Sequence, residues 1–195
     1  MTQIALFGTS ADPPTAGHQQ ILLWLSDHFD RVVVWASDNP FKSNQTDLQH
    51  RCAMLQRLVD EIKPSKPNID AYQHFSNRRT VKTVMSAQQQ WPQAQFTLVI
   101  GSDLVQQIRG WYQVQNLLKQ VKLLVVPRPG YPVDDRDLAA LNQLGATVAI
   151  ASLTGLAVSS TDFREAGDSN ALTPSVQAYI DQKHLYEFTS PKNSA

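Results

Sequence analysis

Cys52 is the only cysteine among the 195 residues, so an intramolecular disulfide and a two-cysteine metal site are both excluded. Charge is scarce, at 17% of residues, and its 17 basic and 17 acidic side chains cancel. A neutral chain lacks the broad basic field of a nucleic-acid binder, although a local basic pocket stays open. No apolar run approaches the roughly 20 residues that span a bilayer. The first residues show no basic segment followed by an apolar one, so no signal peptide is expected. These absences lead us to expect a cytoplasmic protein that works without membrane or nucleic acid. The length and the 42% hydrophobic content suit one globular domain, expected over 1–188, with a polar tail at 189–195.

Short apolar runs alternate with segments of helical period. The runs at 4–7, 32–36, 96–100 and 121–126 are nearly continuous in apolar residues, as parallel strands covered on both faces are. Weaker strands are expected at 69–75, from alternation, and at 147–151. Helices are expected at 17–28, 47–62 (capped by Thr46), 81–91 (capped by Thr80) and 135–144 (stopped by Gly145). A further helix should open at Thr173-Pro174, an N-cap followed by proline in the first turn. Strand, helix, strand in repetition predicts a single α/β domain with a doubly wound parallel sheet. Ligands then bind at the carboxyl ends of the strands, where the strand order reverses.

The first such end carries Gly8-Thr9-Ser10-Ala11-Asp12-Pro13-Pro14-Thr15-Ala16-Gly17-His18. It has neither the Gly-Lys-Ser/Thr triplet of a P-loop nor the dinucleotide glycine spacing. Gly8 allows a tight exit from the strand, and Gly17 a close approach to the helix start. Thr15 and His18 sit where free N–H groups and the helix dipole favour an anion. Taken alone, Thr-x-Gly-His is as readily a helix cap as a phosphate grip. A second box, Val158-Ser159-Ser160-Thr161-Asp162-Phe163-Arg164, offers hydroxyls, a helix start and an arginine. By itself it reads as an N-cap with a surface arginine. Both boxes, one after the first strand and one after the last, argue against coincidence.

Together they resemble the (His/Thr)-x-Gly-His and Ile-Ser-Ser-Thr-x-x-Arg signatures of the nucleotidyltransferase superfamily. The first box matches at Gly8, Asp12, Pro13, Pro14, Gly17 and His18 and departs at Thr9, Ser10, Ala11 and Thr15, of which Thr15 is normal in several branches of the superfamily. Further segments resemble nicotinate-mononucleotide adenylyltransferases: Asn39-Pro40-Phe41-Lys42, His50-Arg51 with Met54-Leu55, Ile100-Gly101-Ser102-Asp103, Trp111, and Val125-Val126-Pro127-Arg128-Pro129-Gly130-Tyr131. The resemblance implies a Rossmann-like fold, with ATP and a pyridine mononucleotide as substrates and Mg²⁺ accompanying the ATP. A homo-oligomer is compatible with it.

In that family's terms His18, Thr15, Lys42 and Arg164 would act on the reacting phosphates, with His18 a donor that favours its protonated state in the ternary complex. Gly8, Thr9, Ser10, Asp12, Gly17, Gly101, Asp103, Ser159, Ser160 and Thr161 would join His18 and Arg164 around ATP. Lys42, Arg79, Thr80, Trp111 and Arg128 would hold the mononucleotide, with Trp111 stacked on its ring. Each also has a plainer reading: Asp103 as a helix cap, Trp111 as a half-buried aromatic, Lys42 and Arg128 as solvated loop charges. The family's Ser-Tyr-Thr-x-Asp-Thr becomes Asn77-Arg78-Arg79-Thr80-Val81-Lys82-Thr83, exchanging a tyrosine and an aspartate for Arg79 and Lys82. Two cations there suit an anionic acceptor. Cys52, on a helix core face, is no nucleophile. Other acceptors of the superfamily, such as nicotinamide mononucleotide or phosphopantetheine, and a non-catalytic nucleotide binder are the competing expectations.

Overall fold

A computed structural model describes residues 1–38, 44–153 and 158–186. Six strands, β1 (Gln3–Thr9), β2 (Arg31–Ala36), β3 (Ile69–Ala71), β4 (Gln95–Gly101), β5 (Lys122–Val126) and β6 (Thr147–Ile150), form one parallel sheet in the order β3-β2-β1-β4-β5-β6. The helices are α1 (Ala16–His28), α2 (Leu48–Ile62), α3 (Thr80–Gln90), α4 (Val114–Gln120), α5 (Asp135–Gln143), α6 (Ser160–Ala166) and α7 (Pro174–Lys183). This is the doubly wound arrangement expected, with the order reversing between β1 and β4.

Side-chain alternation explains why the strands read as continuous apolar runs. Ala5, Phe7, Val32, Val34, Val99, Leu124 and Val126 point to one face, where α1, α2 and α7 cover them. Ile4, Leu6, Val33, Trp35, Leu98, Ile100, Leu123 and Val125 point to the other, under α3, α4 and α5. With both faces buried, no polar alternation is left to read. Among the described residues no helix is long and apolar enough to cross a membrane.

Several boundaries differ from the sequence expectation. The strand expected at 69–75 stops at Ala71, because this edge strand pairs only with Val32–Val34 of β2. The chain then turns into a 3-10 helix, Gln73–Phe75, that buries Phe75 with Tyr72 stacked on it. The N-caps of α2 and α3 are Asp47 and Arg79 rather than Thr46 and Thr80. Thr46 is committed elsewhere: its N–H donates to Asp12 Oδ2 and its carbonyl accepts from Arg51 Nε. Helix α4 was not expected, since it is short and buries only Leu117 and Leu118. Gly145 does end α5, at φ +90, its N–H bonded to the Asn142 carbonyl, and Thr173-Pro174 does open α7. Residues 189–195 lie outside the described residues.

Candidate active site

The two sequence boxes, about 140 residues apart, meet at the switch point. The β1–α1 loop leaves the sheet beside β4 and enters α1 through Thr15, its buried N-cap. The Thr15 N–H donates to His18 Nδ1 at 3.0 Å, and Thr15 Oγ1 lies 2.9 Å from the same nitrogen. An Nδ1 that accepts a backbone N–H leaves the proton on Nε2, which donates to Thr9 Oγ1 at 2.8 Å. The ring is thus held at both nitrogens.

The second box packs onto the first. Ser160 Oγ donates to the Pro13 carbonyl at 2.8 Å, and Arg164 NH1 donates to the Asp12 carbonyl. The Val158 carbonyl lies 3.2 Å from the position of a Cβ on Gly17, so glycine there lets α1 and the start of α6 touch. Ser159 does act as the N-cap of α6, accepting from the Asp162 N–H, and Thr161 Oγ1 accepts from Arg164 NH2. Gly8 has a different task from the expected tight exit: it lies within β1, and the Trp35 indole fills the place of a Cβ at 2.7 Å.

The loop itself is strained and pinned. Ala11 has φ +49, a conformation that alanine keeps only under constraint, and its side chain is fully buried. The Ala11 N–H donates to Thr9 Oγ1 at 3.4 Å. Thus Thr9, where the first box departs from the usual motif, supplies the hydroxyl that holds both Ala11 and His18. The Asp12–Pro13 bond is cis. Asp12 is 2% exposed, and its two carboxylate oxygens accept from Tyr186 Oη and the Thr46 N–H. Arg51, 3% exposed, donates to the carbonyls of Ser10 at 2.9 Å, Ser37 at 2.8 Å and Thr46 at 2.8 Å. It joins the ends of three segments at the carboxyl edge. Sequence reasoning gave no role to Arg51 or Tyr186: their partners lie up to 174 residues away, and no local pattern shows that.

At the end of β4, Asp103 pairs with Arg128 at 2.9 Å, uniting two residues that the resemblance assigns to different ligands. Its Oδ1 is buried with no hydrogen-bond partner among the described residues. Glycine at 101 makes room for this carboxylate and for Arg128 Cδ. Arg79, at the start of α3 beside Thr80, stacks its guanidinium 4.0 Å above the ring of Tyr112, which is 48% exposed. Trp111 is instead half-buried and lines a hollow of about 600 Å³ with Arg109, Val114 and Leu144. The ring that the structure brings to Arg79 is therefore Tyr112; its adjacency to Trp111 was the available signal. Lys42 falls at 39–43, outside the described residues. Cys52 is buried in α2, and burial pushes its thiol pKa up.

A doubly wound sheet whose switch point joins a Thr-x-Gly-His turn to a Ser-Ser-Thr-x-x-Arg helix start defines a nucleotidyltransferase-type protein, and the profile of the cytidylyltransferase-like family matches residues 6–166. The chain is 40% identical over 197 residues to a probable nicotinate-nucleotide adenylyltransferase of Synechocystis, covering 94% of this chain and 98% of that protein. It is 27% identical to the Bacillus subtilis nicotinate-nucleotide adenylyltransferase, over 96% of this chain and all of that one. In fold it matches the Plasmodium falciparum nicotinic acid mononucleotide adenylyltransferase complexed with NaAD, with TM-score 0.81 at 18% identity over 97% and 99% of the two chains. The chain belongs to the cytidylyltransferase-like family, on its nicotinate-nucleotide adenylyltransferase branch.

Proposed function

We propose that the protein transfers the adenylyl group of ATP to nicotinate mononucleotide, giving deamido-NAD and pyrophosphate. The observation that carries this is the contact between the two boxes, where Ser160 and Arg164 bond to the carbonyls of Pro13 and Asp12. That contact brings the N-terminal ends of α1 and α6 and an arginine side by side, which supports reading the two boxes as one polyphosphate setting. The 40% identity to the Synechocystis relative supports the pyridine acceptor.

A 5′-phosphate oxygen of the acceptor attacks the α-phosphorus of ATP. The bond from that phosphorus to the bridging oxygen breaks, and pyrophosphate leaves with the electron pair. A phosphate monoester is already mostly ionised at neutral pH, so the attacking oxygen needs no protein base. The work left to the chain is positioning two anions and stabilising charge on the leaving side. His18 serves as an Nε2–H donor, exchanging Thr9 Oγ1 for a phosphate oxygen. Arg164, Lys42 and the N-terminus of α1 behind Thr15 neutralise the remaining charge. Gly17, by letting α1 meet the start of α6, brings the two boxes together so that Ser10, Ser159, Ser160 and Thr161 flank the polyphosphate. The free Oδ1 of Asp103 accepts from a ribose hydroxyl, and Arg128 holds that carboxylate in place.

Mg²⁺ travels with the nucleotide in this reading. Among the described residues no group of three His, Cys, Asp or Glu side chains gathers as a metal cage. Such an ion would be held by phosphates and water, and it would supply charge neutralisation. On the acceptor side, Arg79, Thr80, Trp111 and Tyr112 frame the mononucleotide. A pyridine carboxylate at Arg79 gains a charged partner that an amide does not.

Pyrophosphate release from ATP, measured with nicotinate mononucleotide, nicotinamide mononucleotide and phosphopantetheine in turn, tests the proposal. Turnover should be highest with the acid. Equal turnover with acid and amide would overturn the role of Arg79, and turnover with phosphopantetheine alone would overturn the acceptor class. ATP binding without release in any arm would make the protein a nucleotide binder.

A further inference from the structure

We infer that Tyr186 is a positioning residue of the phosphate loop, its hydroxyl acting through Asp12 to set the loop that presents Thr15 and His18. The inference rests on the adenylyl-transfer reading for its kinetic consequence, but its geometry is independent of it.

Asp12 stands three residues before Thr15, on the strained part of the loop. Its carboxylate is too buried to touch nucleotide or metal, and both oxygens are occupied, one by Tyr186 Oη and one by the Thr46 N–H. A carboxylate withdrawn from water needs such donors, so losing one shifts the rest. The Asp12 main chain is held as well, since its carbonyl accepts from Arg164. Asp12 is therefore the joint between the phosphate loop, the residues before α2, helix α6 and the segment after α7.

The segment after α7 is built to deliver Tyr186 there. Beyond Lys183 the chain turns through His184 at φ +51, and the Leu185 N–H bonds back to the Ile180 carbonyl at 3.1 Å. Tyr186, itself at φ +56, lays its ring edge-on to Phe163 of α6, with centroids 5.7 Å apart at 85°. One side chain thus touches both phosphate boxes, through its hydroxyl and through its ring. Burial, then the hydrogen bond to Asp12, hold the phenol pKa well above its ordinary value, so the group stays a donor at any working pH.

Tyr186→Phe removes the hydroxyl and keeps the ring on Phe163. Calorimetric binding of a non-hydrolysable ATP analogue and steady-state pyrophosphate release are measured on the full chain. The expected result is about tenfold weaker analogue binding and a similar loss in kcat/KM for ATP, as for one lost hydrogen bond to a charged group. The KM for nicotinate mononucleotide should stay within about twofold, since the loop faces ATP. In an Asp12→Asn background Tyr186→Phe should add little, because the two act as one unit. If Asp12→Asn does not fold, the single Tyr186→Phe variant decides. Analogue binding and ATP kinetics equal to wild type, or losses spread equally over both substrates, would overturn the inference. If wild-type protein releases no pyrophosphate, the proposed reaction fails while analogue binding still decides the role of Tyr186.

Discussion

Arg51→Met offers a quantitative test of how the carboxyl edge is assembled. The buried guanidinium makes three hydrogen bonds of 2.8–2.9 Å to carbonyls, with no carboxylate partner among the ion pairs of the described residues. Hydrogen bonds from a charged donor contribute about 1.5–3 kcal/mol each, so the gross interaction is on the order of 6 kcal/mol. Withdrawing the guanidinium from water costs several kcal/mol, and methionine avoids that cost. The net destabilisation expected is about 3 kcal/mol, or roughly 6–12 °C in Tm for a chain of this size. Arg51→Lys keeps the charge but not the planar fork, and should recover at most about half of that loss. Urea unfolding at constant m-value measures both variants. Because Ser10 lies on the phosphate loop, while Ser37 and Thr46 flank 38–45, ATP analogue affinity should fall in Arg51→Lys even where folding survives. A methionine variant within about 1 kcal/mol of wild type, with unchanged affinity, would refute this account of Arg51.

His18→Ala should lower kcat by roughly 10²–10³, the cost of one transition-state donor, with destabilisation near the ~1 kcal/mol of a lost cap; near-normal pyrophosphate release would refute the donor role. Trp111→Ala should chiefly raise the KM for the mononucleotide, and an effect confined to ATP would exclude ring stacking. Arg79→Ala should reduce the preference for nicotinate over nicotinamide mononucleotide, read as the ratio of the two kcat/KM values, and Tyr112→Ala should do the same by releasing the guanidinium. Stability should decline at alkaline pH, because the Cys52 and Tyr186 pKa values are raised by folding. An acid whose folded pKa is raised keeps its stabilisation below the unfolded pKa and loses it as pH rises further. The decline therefore begins near the ordinary thiol range, about pH 8.5–9, and steepens near about pH 10 where free tyrosine ionises. Cys52→Ala should delay the onset, and Tyr186→Phe should flatten the upper part, both followed by the urea midpoint against pH.

The sheet was legible because burial on both faces leaves the same mark in every strand, as in 32–36 and 121–126. The edge strand β3 was overextended because Tyr72 and Phe75 keep an alternating pattern after strand pairing has ended, their rings stacking in a 3-10 turn instead. The boxes stood out as candidate ligand loops because glycine, hydroxyl and cation side chains cluster next to helix starts. The interactions that hold those loops were not. Arg51 reads as part of a matching helix segment with no partner in sight, and Asp12 as a motif carboxylate ready for ligand, until the fold shows both buried. The Asp103–Arg128 pair and the Arg79–Tyr112 stack likewise join loops that only strand order makes neighbours.

The hydrogen bond between Asp12 and Tyr186 spans 174 positions of chain, nearly its whole described length. On a ribosome adding about 5–20 residues per second, Asp12 emerges roughly 10 to 35 s before its partner exists. The sheet, whose pairings close over shorter separations, has time to form first, and a contact across so long a loop closes last. An unfinished chain would then carry the sheet without a set phosphate loop. Competence for ATP would then wait on the arrival of Tyr186 and not on the closing of the sheet.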